Sequence, residues 1–119
     1  QSNVAVLQNA VLFKTVTLTD NTSTAANIVY SSNNVVQLST LQSNSLEYSV
    51  TRGTTSRVGT ISVTNSNGVP FYNDNYSETA ATGVTLSFAN IGGNTVLQYT
   101  TTSTGSNATF NYQLKNYTV

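Results

Sequence analysis

The chain has 119 residues, with no Cys, His, Met or Trp, and its four basic and four acidic residues cancel. This excludes thiolate chemistry, disulfides, zinc sites built on Cys or His, and Ser-His-Asp triads. It also removes the basic footprint that nucleic acid or an anionic membrane requires, and no apolar run reaches the roughly 18 residues of a bilayer-spanning helix.

What remains is a polar, β-prone chain. Thr (21), Asn (16) and Ser (15) make up much of it, while Val (14), Leu (9) and Tyr (7) dominate the apolar set. β-branched and aromatic side chains suit a pleated, half-buried surface, and strong helix formers are scarce. Hydrophobic residues at 38% with zero net charge are also unlike a disordered chain, which combines low hydropathy with high net charge.

Alternation of period two runs through the sequence. Residues 12 to 19 form a strand with Val16 and Leu18 on one face, ended by Asp20-Asn21. Ile28-Val29-Tyr30 is a short run, and residues 35 to 41 make another. Leu46, Tyr48 and Val50 share a face of a strand that stops at Arg52-Gly53. Residues 57 to 64 follow, with Ile61 and Val63 inward, closed by the tight-turn string Asn65-Ser66-Asn67-Gly68. Residues 69 to 82 interrupt the pattern with the single Pro, Pro70, and the polar run Tyr72-Asn73-Asp74-Asn75-Tyr76, so this stretch is expected as an irregular loop. Val84, Leu86 and Phe88 then alternate cleanly, Gly92-Gly93 supplies a hairpin turn, and residues 95 to 101 run back. Ala108, Phe110, Tyr112 and Leu114 line the last strand. Turn signals every 8 to 12 residues predict an all-β fold, an antiparallel sandwich or jelly roll of seven to nine strands. The domain is expected over residues 11–119, with residues 1–10 as an N-terminal arm.

Several phrases of the second half carry a resemblance. Tyr48-Ser49-Val50-Thr51-Arg52-Gly53-Thr54, Arg57-Val58-Gly59-Thr60-Ile61, Glu78-Thr79 leading to Thr82-Gly83-Val84-Thr85-Leu86-Ser87-Phe88, and Leu97-Gln98-Tyr99 through Gly105 resemble β-rich modules in structural proteins of tailed bacteriophages. These are the tail-fibre-like and capsid-decorating proteins of aquatic phages, and the likeness covers roughly residues 46 to 117. It implies a virion component that acts by assembly or adhesion, commonly as a trimer, with no cofactor and no catalytic residues to carry over, and elimination of the catalytic classes leads to the expectation that the chain is not an enzyme. The alternative from another class is a carbohydrate-binding or adhesin domain of a secreted bacterial protein, which would be extracellular.

The candidate sites are few. Asp74 and Glu78 are the one close carboxylate pair, an arrangement a glycosidase uses, and Asn73, Asp74, Asn75 and Glu78 offer oxygens to a calcium ion. A turn Asp and a solvated Glu explain them more simply, so no catalytic or metal site is assigned. Arg52 and Arg57 bracket Gly53-Thr54-Thr55-Ser56 and are read as solvated surface charges, with pairing to a neighbouring subunit as the alternative. The partner-binding surface is placed on Val4, Val6 and Leu7 of the arm and on Phe71, Tyr72, Asn73, Asp74, Asn75 and Tyr76, away from the sheet faces. Both segments break the alternation that a core demands, and loops on a rigid scaffold commonly carry recognition. The expected partners are other virion proteins or further copies of the chain, with a host-surface glycan as an additional one, and neither nucleic acid nor membrane insertion.

Overall fold

The computed structural model describes residues 14–31, 34–38 and 43–117, and among these the protein is built of strands alone. They are β1 (Lys14–Leu18), β2 (Ala26–Asn27), β3 (Val29–Ser31), β4 (Asn34–Val35), β5 (Gln37–Leu38), β6 (Ser43–Arg52), β7 (Thr55–Ser66), β8 (Val69–Glu78), β9 (Val84–Ile91), β10 (Asn94–Thr101) and β11 (Ala108–Tyr117). The all-β expectation holds. A five-stranded antiparallel sheet runs in the order β1-β11-β6-β7-β8. Across the core from it, β9 and β10 form a hairpin whose outer partner on the β10 side is shared by β2 and β5.

Those two short strands are halves of one edge. Ile28 N–H donates to Leu97 O at 3.0 Å, Leu97 N–H donates to Val36 O at 2.9 Å, and Val36 N–H donates to Ile28 O at 2.9 Å. Ile28 and Val36 therefore both meet Leu97, and β3 and β4 leave the edge as an excursion in which they pair antiparallel with each other. Counting β2 and β5 as one position, the second sheet is three strands wide and the first is five. The sequence expectation of seven to nine strands matches this sandwich, with the excursion as an addition it did not contain.

The tight turns follow from local chemistry. Ser66 pairs with Val69 across Asn67 (φ 52°) and Gly68 (φ 79°), two left-handed residues in the pattern of a type I′ turn. Ile91 pairs with Asn94 across Gly92-Gly93 in the same way.

The core is the alternation made solid. On β6 the inward set is Leu46, Tyr48 and Val50, and Tyr48 stacks obliquely on Phe110 of β11 at 5.8 Å between centroids. Leu86 and Phe88 close over them from β9, and Leu97 and Tyr99 from β10. Each such aliphatic or aromatic side chain contributes on the order of 1.5–3 kcal/mol by leaving water. Of the expected core set, Val16 and Leu114 are only partly buried. Val16 lies on β1, at the margin of the sheet, and Leu114 lines an open cleft described below.

One end of the sandwich is held by a buried cation. Arg52 is 4% exposed, which corrects its reading as a solvated charge. It sits at the next even position after Leu46, Tyr48 and Val50, so the pleat that buries those three turns Arg52 inward too. Its Nε donates to Ser106 O at 2.9 Å, Nη1 to Thr82 O at 3.1 Å, and Nη2 to Thr102 O at 2.6 Å and to the Asp20 carboxylate. Asp20 also accepts from the backbone amides of Thr104 at 2.9 Å and Gly105 at 3.1 Å. Three connections far apart in sequence thus share one guanidinium. Gly83 belongs to the same knot: its φ is +73°, and a Cβ there would strike the Thr102 hydroxyl and crowd Arg52.

Candidate interaction surface

Residues 69 to 82, expected as an irregular loop, begin with a ten-residue strand. The Asn and Asp residues read as turn formers, but the Asn67-Gly68 turn delivers the chain antiparallel to β7, and pairing then runs unbroken from Ser66↔Val69 to Arg57↔Glu78. Pro70 is compatible because the turn makes Ser66 and Val69 a hydrogen-bonded pair. Hydrogen-bonded pairs alternate, so the amide position of Pro70 faces the free edge, where a missing N–H costs no ladder bond.

The pleat sorts the predicted partner-binding residues into two sets. Phe71, Asn73 and Asn75 lie on the outer face, whereas Tyr72, Asp74 and Tyr76 lie on the inner face, register partners of Val63, Ile61 and Gly59. They are therefore on a sheet, which corrects the expectation that the surface avoids sheet faces. Val4, Val6 and Leu7, with the rest of the arm, lie outside the described residues.

The inner face of β8 overhangs the narrower second sheet, and this half-covered strip holds most of the unusual chemistry. Tyr72 stands edge-on to Phe88 at 5.3 Å. The Tyr48 hydroxyl lies 2.8 Å from each carboxylate oxygen of Asp74. Burial, and then this bond to an anion, push the Tyr48 phenol well above its ordinary pKa. Arg57 is buried, not solvated as its charge suggested: it occupies an inward position of β7, its Nη2 donates to Val84 O at 2.8 Å, and its Nη1 lies 3.9 Å from the Glu78 carboxylate. Its guanidinium also lies 4.9 Å from the Tyr76 ring and 5.8 Å from the Tyr48 ring, within reach of cation–π attraction. Gly59 permits the assembly, because a Cβ there would come within 2.7 Å of Tyr76 Cβ and 2.9 Å of Asn75 O.

This geometry answers the two alternative chemistries for the strip. Asp74 and Glu78 are four strand residues apart, roughly 13 Å along the backbone, beyond the roughly 5–10 Å between the carboxyls of a glycosidase pair. Asn73 and Asn75 point away from Asp74, so the cluster does not converge on one cation. Sequence reasoning missed Tyr48, Arg57 and Gly59 as parts of this strip. Strand parity alone carried the signal, since 57, 59 and 61 share a face.

Despite these internal ties, Phe71, Tyr72 and Tyr76 remain 57%, 43% and 47% exposed. The outer face beside them is almost uncharged and rich in hydroxyls and amides. Thr15 donates to the Asn111 side chain at 2.6 Å, Ser43 and Thr64 share a bond of 3.0 Å, and Val58 and Phe71 stand as apolar knobs. Compared with family models, curated proteins and solved structures, the chain matches none.

Proposed function

We propose that the protein is a non-enzymatic structural module of a tailed-phage virion, a capsid-decorating or tail-fibre-associated domain that works as one of several copies of itself, with a trimer as the favoured assembly. The observation that carries this reading is the β8 edge, a ten-residue strand that has one strand partner among the described residues and presents Val69, Phe71, Tyr72 and Tyr76 to solvent. Large aromatics flanked by Asn and Ser supply contact area at modest entropic cost. The resemblance of residues 46 to 117 to phage modules supports the virion setting.

The occupant favoured for this surface is a second copy of the chain. Each copy has zero net charge, so copies do not repel one another, and Arg52 and Arg57 are engaged internally and do not spoil the contact. Pro70 and the inward-facing Asp74 and Glu78 are devices that discourage open-ended strand pairing. They support contacts through side chains in preference to an extended sheet. Sedimentation of the purified chain at micromolar concentration tests this. A trimer or other discrete oligomer that Val69→Ser with Phe71→Ser converts to a folded monomer supports the reading. A stable monomer absent from purified particles overturns it.

The second reading is an extracellular carbohydrate-binding or adhesin domain. It is favoured by the exposed Tyr72 and Tyr76 on one face of β8, whose rings are suited to stacking on sugars. Glycan binding lost on Tyr72→Ser, with no self-association at any concentration, would favour it.

A further inference from the structure

The opposite margin of the five-stranded sheet carries a feature that folding alone does not require. The edge strand shared by β2 and β5 has no need to break at Leu97, yet β3 and β4 leave it and β3 comes against β1. There Lys14 Nζ lies 5.2 Å from the centroid of the Tyr30 ring. Between the excursion, β1 and β11 lies a cleft of about 670 Å³, lined among others by Lys14, Tyr30, Asn34, Gln37, Tyr112 and Leu114. Its size falls within the ordinary range of small-molecule sites.

The chemistry of the wall is selective. Tyr30 is 41% exposed and offers a ring face. Neither the Asn34 nor the Gln37 carboxamide has a hydrogen bond among the described residues, so both are available to hydroxyls. Lys14 is the cation of the cleft and forms no ion pair among the described residues. None of the four acids lines the cleft: Asp20 is bound by Arg52, Asp74 by Tyr48 and Glu78 lies beside Arg57, while Glu47 sits on β6 with its side chain exposed. An ammonium without a carboxylate, next to a ring face and uncommitted amides, is complementary to a saccharide that carries its own carboxylate.

We propose that this cleft binds an acidic saccharide, with Tyr30 against the apolar face of a pyranose ring, Lys14 on the sugar carboxylate, and Asn34 and Gln37 on neighbouring hydroxyls. The site lies at the other edge of the sheet from β8 and does not depend on how the chain assembles. It makes the domain able to hold a carboxylated glycan while its β8 edge is occupied.

Titration calorimetry and amide-shift mapping with trigalacturonic acid and 3′-sialyllactose as probes, and maltotriose and lactose as neutral comparators, test the assignment. The expected result is binding of at least one acidic probe in the micromolar to low millimolar range, with shifts centred on residues 30, 34, 37 and 112, and at least tenfold weaker binding of the neutral sugars. Lys14→Gln should abolish that preference, and Tyr30→Ala should weaken all binding tenfold or more. Both side chains are exposed, so both variants should keep the parent melting temperature. The proposal is overturned by absence of binding at 10 mM of every probe, by equal affinity for acidic and neutral sugars, or by affinity indifferent to Lys14→Gln. Shifts that map to β8 would also overturn it and would instead support the adhesin reading of the aromatic strip.

Discussion

Arg52 and Asp20 are bonded across 32 residues of sequence, with the guanidinium 3% and the carboxylate 23% exposed at their side chains. The pair is also the junction of three backbone connections, because Arg52 donates to carbonyls on two of them and Asp20 accepts from amides on one. A buried ion pair by itself is weak evidence for stability, since desolvation offsets the attraction. Here the cation also supplies a donor to the buried Thr82 carbonyl and ties it to the Thr102 and Ser106 carbonyls, and that is its larger effect.

Replacing Arg52 by Ala should therefore cost about 1.5–3 kcal/mol, the range for losing a hydrogen bond that involves a charged group. Chemical denaturation should show a lower midpoint with an unchanged slope. Asp20→Asn should be milder, because the single amide oxygen can still accept from Thr104 or from Gly105, which the two carboxylate oxygens serve separately. Equal stability of Arg52→Ala and parent would mean that the junction holds nothing together.

The same carboxylate sets the acid limit. The backbone amide of Thr104 comes first, then the amide of Gly105 and Arg52, and together they outweigh partial burial and hold Asp20 below the usual carboxylate value. A depressed folded pKa contributes stability that is complete above the unfolded value near 3.8 and is lost as pH falls through the folded one. Melting temperature should stay level from neutral pH to about pH 5 and fall below about pH 4. Asp20→Asn should flatten that fall.

At the alkaline end the sign reverses. Burial raises Tyr112 to about 12, with Tyr30 nearby adding to the effect, and burial followed by the Asp74 bond raises Tyr48 further. Groups raised in the folded state support it fully below the unfolded value near 10, and that support drains away as pH climbs through the folded values. Stability should decline above about pH 10. Ultraviolet titration should show two tyrosines resisting ionisation until the chain unfolds.

Tyr48→Phe removes the hydrogen bond to Asp74 while keeping the ring, and hydrogen bonds to charged groups are worth about 1.5–3 kcal/mol. A double-mutant cycle with Asp74→Asn should show non-additivity of about 1 kcal/mol or more, as expected of groups in direct contact. Additive losses would show that the contact is incidental.

Gly59→Ala should cost about 1–3 kcal/mol, the range for overpacking. The obstacles are the Tyr76 Cβ and the Asn75 carbonyl, both fixed to the β8 backbone, so β8 has to move. Amide exchange should report faster opening of residues 69 to 78, with β6 and β11 protected as before.

The fold was legible because parity is a simple code. On β6 and β9 every second residue is apolar, and Leu46, Tyr48, Val50, Val84, Leu86 and Phe88 all face the core as the sequence suggests. The code was harder to read where side-chain chemistry argued against position. Arg52 and Arg57 obey the alternation, but charge implies solvent until the carbonyls that receive them are seen in space. Residues 72 to 76 have turn composition and strand geometry, because a neighbouring turn settles their pairing and their own propensities do not. The excursion that carries β3 and β4 left no mark beyond two short apolar runs, since the residues on either side of it, Ile28 and Val36, close on the same opposite residue, Leu97.

The closure of Ile28 and Val36 on one shared residue makes what lies between them an interchangeable cassette. Ile28 and Val36 close the edge strand on the same residue whatever lies between them. A longer or shorter insert at this place changes neither the register of β10 nor the faces of the core. Variation in length and sequence can thus gather beside the cleft, so that what the cleft accepts can diverge rapidly on a scaffold that stays constant.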